Sequence, residues 1–192
     1  MAVERVIYID ENIEGFDLAQ ALREISPQRR EYALSYRNER DQRCCVAAYR
    51  LLQRALQQEY GITELPELVH DKNGKPSLAS RPNIHVSLSH CRDAVACVVS
   101  DQPIGIDIET LEHYSPEVAQ RVMSEEEMCH IMASSDSATA FTRLWTMKES
   151  LFKLTGDDQG GDIARMLDNA QCYRFTTVAA TAWVLTTCQY AT

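Results

Sequence analysis

The sequence predicts an α+β protein of two similar lobes, residues 1–103 and 104–192, each with a small, mainly antiparallel sheet and one long helix. Three observations predict it. Each half holds one extended run of helical periodicity, about Glu39–Tyr60 in the first and Asp136–Leu154 in the second. The β-branched segments are short and separated by turn residues, not by the helices that parallel strands need. Charge also divides at that point: residues 1–103 carry 13 Lys and Arg against 15 Asp and Glu, whereas residues 104–192 carry 6 against 13.

Taken in order, "VERVIYI" reads as a β-branched strand and "DLAQALREI" as a short helix capped by Asp17. Ser26-Pro27 supplies an N-cap followed by a first-turn proline, which starts a second helix. The long helix follows, with Val46, Tyr49, Leu52 and Leu56 at spacings of three and four and Gly61 as its stop. Strand-like pieces come next: "ELVHD", the turn "NGKP", "IHVSLSH", "AVACVVS" and "IGIDIE", the last two joined by Asp101-Gln102-Pro103. Beyond Glu109, Pro116–Met123 and Ser124–Met132 are helical, the second opened by a Ser124/Glu127 capping box. The second long helix ends at Gly156, and "AQCYRFTTV" and "TAWVLTTC" are two late strands.

Composition narrows the class. With 45% hydrophobic and 24% charged residues the chain can bury a core, and no run of about 18 apolar residues exists for a membrane span. The N-terminus lacks the basic start, apolar middle and small-residue cleavage site of a secretory signal, so the expected compartment is the cytoplasm. Seven cysteines without a C-x-x-C pair fit neither a disulfide framework nor a zinc site, and five scattered histidines offer no ligand pair. A net charge of −9 argues against nucleic acid as a partner. Inside this acidic chain, Arg23, Arg29, Arg30, Arg37, Arg40, Arg43, Arg50 and Arg54 face only Glu24, Glu31, Glu39 and Asp41, which suggests an anionic ligand or partner.

The chemistry concentrates in "PIGIDIETLE". Alternation puts Ile104, Ile106 and Ile108 on the core side and Gly105, Asp107 and Glu109 on the other, with the two acids about 7 Å apart at Cα. Two such carboxylates either share protons, recruit a cation, or stand harmlessly on a solvent-facing edge. In "LWTMKESLFKLTG", Trp145, Glu149 and Lys153 recur every four residues on one helical stripe, beside an apolar face of Phe141, Leu144, Lys148, Leu151 and Phe152. Glu149 as a third carboxylate would complete an oxygen-rich site for Mg²⁺, and the Lys153 ammonium would suit a phosphate.

"GIDIE" followed by "WTMKESLFK", with Glu149 42 residues beyond Asp107, resembles the bipartite G-x-D-x-E and W-x-x-K-E-x-x-x-K signature of the 4′-phosphopantetheinyl transferases. "NGKPSL", "VSLSHC" and "ISPQRREYALSY" resemble further motifs of its broad-specificity, two-lobed, surfactin-synthetase-activating branch. The resemblance implies a monomer whose lobes are related by a pseudo-twofold. It implies transfer of the phosphopantetheine arm of coenzyme A to a serine of an apo acyl or peptidyl carrier protein, with release of adenosine 3′,5′-bisphosphate. By the same resemblance Asp107, Glu109 and Glu149 hold Mg²⁺, and Glu149 is the favoured base, with Glu109 or a metal-held water as alternatives. Lys153 stabilises phosphate charge, Arg29 and Arg43 meet the 3′-phosphate, Lys75 lies beside the adenine, and Ser89 and His90 contact phosphate.

Three departures stand out. Cys91 follows His90 where serine is common, Tyr32 stands where a second lysine is frequent, and "DDQGG" after Gly156 lacks a lysine. The acidic second half is expected to dock the carrier mainly through apolar contacts between Thr110 and Ser135, helped by Arg121. Rival readings are a non-catalytic module that binds coenzyme A or carriers, and a Mg²⁺-dependent pyrophosphate hydrolase.

Overall fold

The computed structural model describes residues 4–111, 115–156 and 162–191. It is an α+β structure that divides into two compact units, Met1–Pro103 and Ile104–Thr192.

In the first unit β1 (Val6–Asp10) and β4 (His85–His90) flank β5 (Val95–Ser100), all antiparallel. Every residue of the central β5 is buried, and Val95, Cys97 and Val99 on one of its faces share a core with Val46, Tyr49, Leu52 and Leu56 of α3 (Glu39–Tyr60). Asn38 opens α3 by accepting from the Arg40 amide, and Gly61 closes it in the left-handed conformation at φ 66°. Two shorter helices, α1 (Leu18–Glu24) and α2 (Pro27–Leu34), pack against α3 and start at Asp17 and Ser26, whose side chains accept from amides of the first turn. A two-stranded hairpin of β2 (Leu68–His70) and β3 (Pro76–Leu78) completes the unit. Pro76–Leu78 carries no strand signal of its own, since three residues headed by a proline show no periodicity. Its turn is shaped by Asp71, whose Oδ1 accepts from the amides of Asn73 and Lys75.

The second unit repeats the ingredients. β6 (Gly105–Thr110) and β7 (Tyr173–Ala179) flank β8 (Trp183–Tyr190), again antiparallel. α6 (Ser137–Thr155) packs across β6 and β8, while α4 (Pro116–Val122) and α5 (Glu125–Ala133) form a small core with it around Ala119, Met123, Ile131 and Ala140. Single 3₁₀ turns at Ile163–Arg165 and Ala170–Cys172 lead into β7. Among the described residues no helix is long and apolar enough to cross a membrane.

Two points that the sequence left open are decided. The turn residues Asp101–Pro103 do not close a hairpin: β5 pairs with β1 and β4, and β6 pairs with β8. The connector is instead tied back by Tyr60 Oη donating to Asp101 and by the Gln102 amide donating to Ser100 Oγ. In β6, Gly105 through Ile108 are all buried and only Glu109 and Thr110 are partly exposed. The acid-bearing side is the one that α6 covers.

Candidate active site

The site begins with a missing side chain. A Cβ at Gly105 would stand 2.0 Å from the Ser150 carbonyl oxygen and 2.7 Å from the Leu154 amide nitrogen, both backbone atoms of α6. Glycine therefore lets helix and strand approach until their backbones nearly touch. The residues just before those contacts on α6 are Glu149 and Lys153, and the residues after Gly105 on the same face of β6 are Asp107 and Glu109. Close approach at one position thus gathers four charged groups drawn from two elements.

Within this cluster Lys153 Nζ lies 2.6 Å from Asp107 Oδ1, the lysine side chain 27% exposed and the aspartate 3%. Asp107 pairs across the sheet with Thr186, whose hydroxyl lies 2.7 Å from that of Thr146 on α6 and 2.9 Å from that of Thr177 on β7. This row of hydroxyls gives a polar floor to an otherwise apolar helix–sheet interface. Burial, reinforced by the Asp107 charge, raises the Glu109 carboxyl from an ordinary 4.5 to about 7, against the lowering effects of a hydrogen bond from Trp145 and the Lys153 charge. Glu149 is raised too, by burial first and the Asp107 charge second, with Lys153 opposing. Three carboxylates therefore share one partly desolvated region with a single ammonium among them.

Such a donor set fits a hard dication. It offers carboxylate oxygens only, in mutual repulsion that a divalent charge would relieve. Among the described residues no three acidic, histidine or cysteine side chains are gathered tightly enough to make a finished cage, so binding would draw the carboxylates inward. Asp107, Glu109 and Glu149 are the residues that could hold it.

Two contributors to the site were missed or only half seen in the sequence. Trp145, placed on the Glu149 stripe by spacing alone, hydrogen-bonds the Glu109 carboxyl. Lys148, placed on a mostly apolar face, is fully buried in an ion pair with Glu127 at 2.9 Å. A signal for that pair existed in the capping box, because Glu127 serves both the Ser124 amide and Lys148.

The remaining candidates belong to the first unit. Arg29 donates to the Cys45 carbonyl at 3.0 Å and lies over the Tyr32 and Tyr49 rings, leaving a buried Nε with no acceptor among the described residues. Arg43 is more fully committed, to Glu39 at 2.9 Å, Glu14 at 3.5 Å and the Phe16 carbonyl at 2.9 Å. Lys75 is half-buried in the β2–β3 turn, where desolvation lowers its ammonium against the opposing Asp71 charge. Ser89 is buried near the end of β4, and His90 is exposed at its last position opposite Val95.

Of the departures, Cys91 is buried at the start of the β4–β5 turn, Tyr32 is exposed and stacks on His70, and "DDQGG" (157–161) lies outside the described residues. In the expected docking segment Val118, Arg121 and Met132 are exposed on α4 and α5, while residues 112–114 lie outside the described residues.

Comparison with known proteins bears on the same region. Residues 103–187, which contain β6, α6 and all four charged groups, match the family model described as the 4′-phosphopantetheinyl transferase superfamily. The chain is 29% identical over 153 residues to the 4′-phosphopantetheinyl transferase Sfp of Bacillus subtilis (strain 168), covering 78% of this chain and 68% of that one. It is 38% identical over 86 residues to the 4′-phosphopantetheinyl transferase psf-1 of Bacillus pumilus, 44% of this chain and 37% of that one. With the 4′-phosphopantetheinyl transferase gsp of Aneurinibacillus migulanus the identity is 29% over 136 residues, 69% of this chain and 56% of that one.

Proposed function

We propose that the chain is a 4′-phosphopantetheinyl transferase, as the match over residues 103–187 and the likeness to Sfp support, and that it moves the 4′-phosphopantetheine arm of coenzyme A to a serine of an apo acyl or peptidyl carrier protein. The observation that carries the proposal is the convergence of Asp107, Glu109 and Glu149 around Lys153. A family match and a site chemistry then coincide on the same residues.

In the proposed reaction the serine oxygen forms a bond to the phosphorus that bears the pantetheine arm. The bond from that phosphorus to the bridging oxygen breaks, and adenosine 3′,5′-bisphosphate leaves. Asp107, Glu109 and Glu149 would hold Mg²⁺, which supplies charge neutralisation at the pyrophosphate. Glu149 takes the serine proton, and the burial that raises its carboxyl makes it a stronger base than an exposed glutamate. Lys153, now on Asp107, is close enough to the acids to share its ammonium with a phosphate oxygen. Trp145 holds the Glu109 carboxyl in place through its indole N–H.

The two halves divide the work in this reading. Residues 104–192 supply the cation site and dock the carrier, and residues 1–103 bind coenzyme A. Arg29 suits the 3′-phosphate through its buried Nε, with Arg43, Lys75, Ser89 and His90 completing the phosphate and adenine contacts. The protein acts in the cytoplasm as a monomer.

Mass spectrometry of an apo carrier incubated with the protein, coenzyme A and Mg²⁺ tests this. The expected result is a serine carrying phosphopantetheine, with the rate falling about 10²-fold or more in Asp107→Ala and Glu149→Ala. Free 4′-phosphopantetheine with an unmodified carrier would make the protein a hydrolase, and no change in either would make it a non-catalytic module.

A further inference from the structure

A buried cation that the proposed chemistry does not use stands one residue before Glu149. The Lys148 side chain is 0% exposed, and its ammonium makes three bonds: to Glu127 Oε2 at 2.9 Å, the Ile163 carbonyl at 2.8 Å and the Ala164 carbonyl at 3.1 Å. Glu127 is itself held, since its Oε2 accepts from the Ser124 amide at 2.7 Å while Ser124 Oγ accepts from the Glu127 amide at 3.3 Å. One ammonium therefore joins the first turn of α5, the middle of α6 and the 3₁₀ turn at Ile163–Arg165.

Stability alone is a poor reason for such an arrangement. Burying both charges is costly, and apolar side chains in place of both partners often pack as well. What three directed bonds provide and an apolar side chain does not is a fixed angle. On its strand side α6 rests against Gly105 and holds Thr186 through Thr146; elsewhere on its circumference Lys148 ties it to α5 and the 3₁₀ turn. A roll of about 15° would carry a carboxylate roughly 6 Å from the helix axis through about 1.5 Å. That exceeds the roughly 0.5 Å tolerance of a working site.

We propose that Lys148 is a positioning residue, which sets the rotational phase of α6 through Glu127 and the Ile163 and Ala164 carbonyls and so aims Glu149 and Lys153 at Asp107 and Glu109. The inference rests on the transferase reading above for its catalytic consequence, but not for its effect on cation binding.

The test compares wild type with Lys148→Met, Lys148→Arg and Glu127→Gln. Three quantities are read: melting temperature in EDTA, the midpoint of a magnesium titration followed as a rise in melting temperature, and kcat with KM for coenzyme A. The expected Lys148→Met protein, which leaves Glu127 buried without its cation, melts about 10 °C below wild type but still folds, needs about tenfold more magnesium, and loses kcat with KM changed less than about twofold, while Lys148→Arg recovers most of both. A Lys148→Met protein with the wild-type magnesium midpoint and kcat overturns the inference. So does one whose defects only follow its lowered melting temperature and are not recovered by arginine. If Lys148→Met does not fold, Glu127→Gln, which keeps an acceptor for the Ser124 amide, decides by the same midpoint and kcat. A wild-type protein that binds magnesium but transfers nothing overturns the transferase reading, and the midpoints still decide the role of Lys148.

Discussion

Glu109→Gln removes the carboxyl that the fold most resists ionising, and its effect should depend on pH in a direction the structure dictates. In the folded chain Glu109 ionises near 7, and its ordinary value is 4.5. The folded-state value is the higher one, so the stability that the protonated group supports is complete below pH 4.5 and lost as pH rises through 7. Each pH step between those values costs about 1.4 kcal/mol, for a ceiling of about 3 kcal/mol. Glu109 is only half-buried, and solvent screening reduces the expected cost to about 1–2 kcal/mol. Glutamine resembles the protonated acid and keeps a carbonyl for the Trp145 bond, so the variant escapes that cost. Urea unfolding in EDTA from pH 5.5 to 8 should therefore show the glutamine protein gaining on wild type by about 1 kcal/mol across the range. Saturating magnesium at pH 8 should shrink the gap, because the dication relieves the same repulsion. A gap that stays constant with pH, or closes as pH rises, would refute the assignment of Glu109 to a crowded, partly desolvated acid cluster.

Gly105→Ala should damage the protein far beyond the cost of one methyl, because the new Cβ meets α6 backbone atoms that cannot rotate away. A loss of about 2–3 kcal/mol or more by urea unfolding is expected, and a near-neutral result would mean that helix and strand are not in close approach. Lys153→Ala strands the buried Asp107 carboxylate and should cost about 2–3 kcal/mol, with saturating magnesium restoring much of that stability but not transfer; restored transfer would remove Lys153 from the chemistry.

By itself the sequence determined what repeats over short distances. Caps at Asp17, Ser26 and Ser124 and stops at Gly61 and Gly156 are set by the backbone groups next to them, so they were legible where the structure has them. A strand period of two placed Asp107 and Glu109 on one side, and a helix period near four put Trp145, Glu149 and Lys153 on one stripe. What those periods could not say is what each face meets. The pairing of β6 with β8, about eighty residues onward, in place of the neighbouring β5, depends on contacts that no local window contains. The helix that covers the acids could approach only because Gly105 has no side chain, and the sequence showed that glycine as a signature position without showing what it meets. Lys148 and Lys153 look alike in a string of letters. One is sealed in a pit against Glu127 and the other rests on Asp107 at the edge of solvent, because the elements packed around α6 differ on its two sides.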